Sequence, residues 1–337
     1  MSRQNKRERK IYTNWNIQED LYTNVAGRSS GKMKTVFMGT PDFAVPCLQM
    51  LIDKGYRVSA VFTQPDKPKG RGNIMTPPPV KELALYNDIE VFQPSTLKDG
   101  RSTEILKAIN PDIIVVVAYG KILPKSIIDL PKYGCINVHA SLLPKYRGAA
   151  PIQWSVIDGE QKTGVTVMQM DEGLDTGDML YKSETSIGKD ETAGELHDRL
   201  SIIGAYAMAE ALELIKSGKI TRERQDESET CYAKMLDKSL CELDFNKTAA
   251  ELYNQIRGLC PWPVATVTID TKRLKIFKSE ILEGGEVKDG MLTKKCADGK
   301  YLRLCTVQPD GKGKMSDTDF LRGHRARDTS RQLTIEN

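Results

Sequence analysis

The first half of the chain alternates short runs of β-branched and other apolar residues with stretches of helical periodicity. Four of these runs predict strands, at residues 35–38, 58–62, 113–117 and 135–138, and a helix is predicted at about 43–54. Apolar strands that are each followed by a helix are typical of a parallel sheet with helices on both faces. The pattern therefore predicts an α/β domain.

The turn after the first strand, GTPDF, limits what such a sheet can bind. Thr40 and Pro41 suit an N-cap and a first helical position, so the strand is expected to turn directly into its helix. The turn lacks the GxGxxG pattern that accommodates a dinucleotide pyrophosphate. A nicotinamide-dependent activity is therefore disfavoured.

Length and composition indicate a globular protein of two domains. The chain has 337 residues, 39% hydrophobic and 28% charged, and no apolar run approaches the roughly 18 residues of a membrane span. Residues 1–33 hold seven Lys or Arg against three Asp or Glu and so account for the whole net charge of +4. Global charge therefore says little about partners, and residues 1–32 are predicted to be a disordered or non-native leader.

Cysteine usage bears on the compartment and on metal binding. Seven cysteines are scattered along the chain without a CxxC pair. Zinc-type spacing is absent, and no disulfide framework is indicated. The economical interpretation is a protein of the reducing cytoplasm that binds no metal.

The second half of the chain predicts a change of architecture. A long helical pattern at about 191–215 is predicted to close a first domain of residues 33–216, and the polar run at 217–235 to be a linker. A helix near 248–257, the motif CPWP and alternating apolar runs then predict a small, mostly β domain at 236–337, for which a barrel is one suitable arrangement. That part carries a net charge of +3, which mildly favours contact with a polyanion.

The segment QPDKPKGRGNIMTPPP, at 64–79, has five prolines and is predicted to be a long exposed loop without regular structure. Its cations after Asp66 are Lys67, Lys69 and Arg71. They could contact the phosphates of a nucleic acid or simply be solvated, and the composition alone favours solvation.

Two polar residues lie on one predicted strand. Asn137 and His139 are two positions apart in GCINVHASLLP, so their side chains are expected on the same face near the carboxyl end of the strand, where open α/β sheets bind ligands. An amide can donate to a developing oxyanion, and an imidazole titrates near neutral pH. A structural histidine and a turn-forming asparagine are the alternative, and spacing alone leaves the two readings about even.

A second cluster, QMDEGLDTGDML at 169–180, follows a predicted strand and predicts a tight loop. Asp175 lies between Leu174 and Thr176 and is the acid expected to be held within this loop. A carboxylate beside an imidazole can orient it and favour its charged form. A solvated acidic turn and a metal loop are alternatives, although the spacing does not match an EF-hand.

Taken together, NVHASLLPKYRGAAPIQW, MDEGLDTGDML, MGTPDFAVPCL, QPDKPKGRG and CPWP resemble the methionyl-tRNA formyltransferase family, over residues 33 to about 325. The first two motifs are similar to those of folate-dependent formyltransferases in general, and GAAPIQ and CPWP narrow the resemblance. It implies a Rossmann-like catalytic domain with a parallel or mixed sheet, followed by a small OB-like β-barrel that binds tRNA.

The resemblance also implies roles for matching positions. Asn137, His139 and Asp175 match the catalytic residues of the family, and Arg71 lies in the loop that reaches the tRNA acceptor end, with Lys67 and Lys69 beside it. The folate-binding turn is matched by Ser141, Leu142, Leu143 and Pro144.

The implied reaction is transfer of the formyl group of 10-formyltetrahydrofolate to the α-amine of methionyl-initiator tRNA, by a cytoplasmic monomer that needs no metal and no membrane. Asn137 and His139 would stabilise the oxyanion, and Asp175 would orient His139 and assist removal of the amine proton. An alternative within the same chemistry is formylation of an amino sugar nucleotide or of glycinamide ribonucleotide. A tRNA- or RNA-binding protein on an inactive α/β scaffold is an alternative from another class.

Overall fold

The computed structural model describes residues 33–70, 72–269 and 272–325, and for residues 324 and 325 only the backbone. The predicted leader at 1–32 and Arg71 lie outside the described residues. The strands up to residue 233 are β1 (Lys34–Gly39), β2 (Arg57–Phe62), β3 (Lys67–Lys69), β4 (Ile74–Thr76), β5 (Val91–Phe92), β6 (Ile113–Val117), β7 (Cys135–His139), β8 (Arg147–Gly148), β9 (Lys162–Gln169), β10 (Met179–Ser186) and β11 (Tyr232–Ala233).

Seven of these strands form a mostly parallel sheet in the order β10-β9-β7-β6-β1-β2-β5. The pairs β5-β2, β2-β1, β1-β6 and β6-β7 are parallel, whereas β9 and β10 add to the β7 edge in antiparallel fashion. The predicted α/β sheet is confirmed. The helices of this half are α1 (Val45–Asp53), α2 (Pro79–Tyr86), α3 (Arg101–Ile109), α4 (Lys125–Ile128), α5 (Pro151–Ile157) and α6 (Ala193–Lys216).

Alternation along the central strands divides the core between the two faces of the sheet. On β7, Ile136 and Val138 belong to a large cluster that includes α1 and α6, whereas Cys135 belongs to the cluster on the other face with Leu106 of α3 and Ile127 of α4. Because every second side chain of a strand points to the same face, Asn137 and His139 lie on the face of Cys135.

The first and the last helix of the first domain, α1 and α6, begin in different ways. The start of the first helix differs from the prediction, because Thr40 caps no helix and its hydroxyl instead donates to the backbone carbonyl of Tyr119, 3.1 Å away. Residues Asp42–Ala44 form a short 3₁₀ turn before α1. By contrast, α6 begins at a capping box in which Thr192 and Glu195 each hydrogen-bond the other's backbone N–H.

The proline-rich segment contains more regular structure than its composition predicts. Strands β3 and β4 form a small antiparallel hairpin in which Pro68 is opposite Met75. The prediction of a loop without regular structure was therefore wrong for these residues. Proline can be accommodated here because it lacks only an N–H donor, which an edge strand does not need at every position. The predicted exposure is confirmed at Lys67 and Lys69.

The polar run at 217–235 also makes specific contacts. Residues Glu227–Glu229 form a 3₁₀ turn, and β11 pairs in parallel with β8, with Tyr232 opposite Arg147 and Ala233 opposite Gly148. The run is therefore attached to the first domain, whereas the exact domain boundaries stay a prediction.

The C-terminal part forms a curled antiparallel sheet that makes a half-barrel. Its strand order is β12-β13-β15-β14 with β16 paired to β15, and two register shifts interrupt the pairing of β13 with β15, as bulges do in strongly bent strands. The predicted small β domain is confirmed in this form. Its elements are α7 (Ala249–Gly258), β12 (Ala265–Ile269), β13 (Lys272–Leu282), β14 (Thr293–Lys295), β15 (Tyr301–Pro309), β16 (Met315–Ser316) and α8 (Asp317–Arg325).

No helix in the described part of the chain is both long enough and apolar enough to cross a membrane.

The half-barrel joins the first domain through a close contact between α7 and α5. A Cβ added to Gly258 would lie 2.5 Å from Cγ1 of Ile157 and 3.1 Å from the carbonyl oxygen of Gln153, both on α5. A side chain at this position therefore requires the two helices to move apart.

We expect Gly258→Ala to destabilise the protein by about 1–3 kcal/mol, since overpacking outweighs the gain in helix propensity. The measurement is the thermal midpoint, which should fall by several degrees. Gly323→Ala, also in a helix but with open space around its Cβ, is the matched control and should leave the midpoint unchanged or slightly raised. An equal effect of both substitutions would contradict the close-contact interpretation.

Candidate active site

His139 is the last residue of β7 and is 6% exposed. Its Nε2 lies 2.8 Å from the carbonyl oxygen of Tyr146. Because a carbonyl can only accept, Nε2 carries the hydrogen, and Nδ1 of the neutral ring has a free lone pair. The imidazole is therefore oriented by the backbone, and Nδ1 is the atom that can exchange a proton.

Asp175 lies beside this free nitrogen, in the loop between β9 and β10. Its Oδ2 is 3.7 Å from Nδ1 of His139, a distance for an ionic contact or a bridging water rather than a direct hydrogen bond. The same oxygen accepts from the backbone N–H of Gly148, 2.9 Å away. The loop thus brings together two residues that are 36 positions apart, as the sequence predicted only by resemblance.

Asn137 shares a face with His139 on β7, between Val116 of β6 and Met168 of β9. Its side chain is partly buried. Among residues 33–70, 72–269 and 272–325, none hydrogen-bonds its amide group. A half-buried amide with both donors free is suited to bind an oxygen that a substrate supplies.

The predicted folate turn is held together internally. The hydroxyl of Thr166 donates to the carbonyl of Ser141, 2.7 Å away, and accepts from the N–H of Leu143 at 3.1 Å. The Ser141 hydroxyl donates to the carbonyl of Lys145 at 2.7 Å. Leu143 is buried with two methionines, whereas Leu142 remains partly exposed and Pro144 is buried. The turn can therefore offer a partly apolar wall, and its Ser141 hydroxyl is already engaged.

Tyr146, two residues after this turn, has a left-handed backbone with a φ of 59° and is buried. Its hydroxyl donates to carboxylates of Asp158 and Glu160, at 3.0 and 3.1 Å. Burial and these two acids raise the pKa of Tyr146 well above its ordinary value. This ring anchors the backbone carbonyl that holds His139, a contribution that the sequence did not indicate.

Arg147 and Gln225 are two further residues that sequence reasoning missed. The Arg147 side chain is fully buried and hydrogen-bonds Gln225 and Glu227, and Gln225 in turn reaches the loop of Asp175. Arg147 lies within the motif NVHASLLPKYRGAAPIQW, whereas Gln225 lies in the polar run, where no local sequence pattern indicates a buried residue. Its partners are about 50 positions or more away and become visible only in the fold.

A cleft of about 430 Å³ is lined by residues before and after Asp175 in its loop and by part of the polar run at 217–235. Its lining includes Thr176, Asp178, Arg222 and Arg224, but Asn137, His139 and Asp175 do not line it. The cleft therefore adjoins the candidate active site without containing it. Within the described residues, no group of three or more His, Cys, Asp or Glu is placed to hold a metal.

The basic loop is anchored at its base rather than at its tip. Nζ of Lys81 contacts both carboxylate oxygens of Asp66, at 2.9 and 2.8 Å, and Oε1 of Gln93 at 2.7 Å. Gln93 also donates to Asp66, at 2.8 Å. The hydrogen bonds from Lys81 and Gln93 lower the pKa of Asp66. Lys67 and Lys69 are exposed on the hairpin and take no part in these hydrogen bonds.

We expect Asp66→Asn to loosen the base of the hairpin, because the neutral amide no longer holds Lys81. Cleavage by trypsin after Lys69 should become about two- to tenfold faster at neutral pH. Because the pKa of Asp66 is lowered in the folded protein, its stabilisation is present at neutral pH and is lost only as the pH falls through that lowered value.

The control for this substitution is Glu104→Gln, which removes an exposed i,i+3 ion pair with Lys107 on α3. It should not change the cleavage rate after Lys69. Equal rates for Asp66→Asn and the unaltered protein would show that Asp66 does not anchor the hairpin.

Comparison with known proteins places the chain among formyltransferases. The family profile described as formyl transferase matches residues 33–212, and that of the formyl transferase C-terminal domain matches residues 235–325. The methionyl-tRNA formyltransferase of Clostridioides difficile (strain 630) is 49% identical over 300 residues, covering 87% of this chain and 97% of the relative. That of Alkaliphilus oremlandii (strain OhILAs) is 51% identical over 302 residues, with 87% and 97% covered.

Solved structures share the fold at much lower identity. An N-formyltransferase from Helicobacter canadensis, solved with folinic acid and dTDP-3-aminofucose, has a TM-score of 0.62 at 22% identity, covering 82% of this chain and 99% of that one. HypX from Aquifex aeolicus, solved with tetrahydrofolic acid, has a TM-score of 0.56 at 14% identity, covering 90% of this chain and 50% of that one. At these identities the likeness concerns the fold.

Proposed function

This chain belongs to the methionyl-tRNA formyltransferase family, and from that membership we propose that it transfers the formyl group of 10-formyltetrahydrofolate to the α-amine of methionyl-initiator tRNA, giving formylmethionyl-tRNA. The observation that supports this most directly is the placement of Asn137 and His139 on one face of β7, with the carboxylate of Asp175 3.7 Å from the ring of His139. The N-formyltransferase solved with dTDP-3-aminofucose is only 22% identical and resembles the chain in fold, whereas the methionyl-tRNA formyltransferases are 49% and 51% identical over nearly their whole length.

The amine attacks the formyl carbon, and the negative charge that develops on the formyl oxygen must be stabilised. The unpartnered amide of Asn137 supplies one hydrogen-bond donor. Nδ1 of His139 supplies a second when the ring is protonated, because Nε2 is committed to the Tyr146 carbonyl. Donors of this kind are each worth about 10²–10³ in rate when they are fixed before the reaction.

Asp175 is proposed to accept the proton that the amine loses. Its carboxylate lies 3.7 Å from Nδ1 of His139 and is held by the N–H of Gly148. The amine proton passes to this carboxylate, directly or through a water, as the new N–C bond forms. The bond from the formyl carbon to the folate nitrogen then breaks, and that nitrogen receives the proton that Asp175 took up, which returns the carboxylate to its starting state. Every step uses groups already in place, and no covalent enzyme intermediate is needed.

The same proposal assigns the substrate-binding surfaces. The turn of Ser141, Leu142, Leu143 and Pro144 fits a flat ring through its apolar side chains rather than through the Ser141 hydroxyl. Lys67, Lys69 and Arg71 would meet the acceptor end of the tRNA, and the basic half-barrel a further part of it. We propose that the enzyme acts as a monomer in the cytoplasm.

The activity is tested by incubating the protein with 10-formyltetrahydrofolate and charged initiator tRNA, and by measuring formylmethionine. We expect turnover in the usual enzymatic range of about 1–10³ per second. A parallel incubation offers an amino sugar nucleotide and glycinamide ribonucleotide. Formylation of either of these without formylation of the tRNA would overturn the proposal in favour of a different amine.

We expect His139→Ala to lower kcat by about 10²–10³ with little change in the KM for tRNA, because the ring acts on the charge that develops during the reaction. The matched control is His197→Ala. His197 is partly exposed on α6 beside Phe43, at 5.3 Å between ring centroids, and Phe43 belongs to the core on the face of the sheet opposite to Asn137. A near-normal kcat for His139→Ala would exclude its proposed role.

A further inference from the structure

One polar side chain in the run at 217–235 is buried between exposed neighbours. Gln225 is 5% exposed, whereas Arg224 and Asp226 on either side of it are exposed. A neutral amide is costly to bury unless all its groups are hydrogen-bonded. The partners of Gln225 therefore indicate what the fold uses it for.

The amide of Gln225 binds the backbone of the Asp175 loop. Its Nε2 donates to the carbonyl oxygen of Asp175 at 2.8 Å and to that of Gly177 at 2.7 Å. Its Oε1 accepts from Nε of Arg147 at 2.9 Å. Because the two carbonyls can only accept and the guanidinium can only donate, these partners fix which end of the amide faces the loop.

Arg147 holds the other end of this arrangement. Its guanidinium is fully buried, and Nη1 and Nη2 donate to the two carboxylate oxygens of Glu227 at 3.0 and 2.8 Å. A bidentate salt bridge of this kind fixes the plane of the guanidinium, and so the direction of its Nε–H. Gln225 is therefore clamped between a fixed arginine and the loop.

The loop needs such support because Asp175 is in an unfavourable backbone conformation. Its φ is 55°, in the left-handed region that non-glycine residues seldom occupy. This conformation raises the free energy of the folded chain by about 1 kcal/mol. The carboxylate of Asp175 is held by Gly148, and its carbonyl by Gln225. Asp175 is thus fixed at both ends, while Leu174 before it is exposed.

We propose that Gln225 is a positioning residue, which holds Asp175 in the conformation that presents its carboxylate to Nδ1 of His139. The polar run at 217–235 is then a part of the active site rather than only a connection to the half-barrel. The kinetic part of this inference rests on the proposed function, whereas the structural part does not.

The variant is Gln225→Ala in the full-length chain, assayed for formylation of charged initiator tRNA. We expect kcat to fall about 10- to 100-fold with the KM for tRNA and for the folate within about twofold, since the amide of Gln225 is committed to Arg147 and to the backbone of the Asp175 loop. In an Asp175→Ala background, Gln225→Ala should have no further effect on kcat. Multiplying effects, or an unchanged kcat of the single variant, would overturn the proposal.

The chain offers a close control in Gln255→Ala. Gln255 is also buried, and its Nε2 also donates to two backbone carbonyls, those of Leu240 and Glu242, in the C-terminal part. Its loss should lower the thermal midpoint about as much as the loss of Gln225, yet leave kcat unchanged. An equal fall of kcat in both variants would mean that Gln225 acts only through stability.

Hydrogen exchange gives a readout that does not require the proposed activity. In Gln225→Ala, the amides of residues 171–178 should exchange at least tenfold faster, and those of β7 at an unchanged rate. If the unaltered protein formylated no tRNA but this local change occurred, the proposed function would fail while the positioning of the loop would stand. Unchanged exchange in the loop would overturn the positioning itself.

Discussion

Two backbone groups on one short segment hold the proposed acid and base. The carbonyl of Tyr146 fixes the ring of His139, and the N–H of Gly148 fixes the carboxylate of Asp175. These groups are two residues apart, so the distance between the two side chains depends on the backbone of Arg147 between them. That backbone is paired with β11, and its N–H donates to the carbonyl of Cys231 at 3.0 Å. The pairing of β8 with β11 is therefore the constraint on which the geometry of the site depends.

This dependence explains which parts of the site could be predicted from the sequence. The strands of the parallel sheet follow from local apolar patterns, and the common face of Asn137 and His139 follows from the alternation of a strand. Asp175 is brought to His139 by a loop, which no periodicity describes, and only the family motif indicated it. Gln225 could not be predicted, because its hydrogen bonds depend on the path of the chain between β10 and β11.

Charge patterns in the sequence said little about which cations could contact a nucleic acid, because that also depends on contacts between distant residues. Lys81 stands close to Lys67 and Lys69 in the sequence, but it is engaged by Asp66 and Gln93 at the base of the hairpin. Arg147 appears in a basic motif, but its charge is compensated by Glu227, 80 positions away. A count of cations measures what could meet a polyanion, whereas the fold decides which of them remain exposed. The hairpin lysines remain exposed, and so the proposal for tRNA binding is confined to them, Arg71 and the basic half-barrel.

Three energetically unfavourable features of the described structure lie at the proposed site. Tyr146 and Asp175 both have left-handed backbones, and Asn137 has an amide without a partner in the described part of the chain. Each of these features costs free energy in the absence of substrate, and hydrogen bonds hold the residues with the two left-handed backbones in place. The hydroxyl of Tyr146 has two carboxylate partners, and the loop of Asp175 is held from both sides. Groups that are fixed before the substrate binds do not have to reorganise as charge develops on it, and that is the condition under which hydrogen-bond donors accelerate acyl transfer.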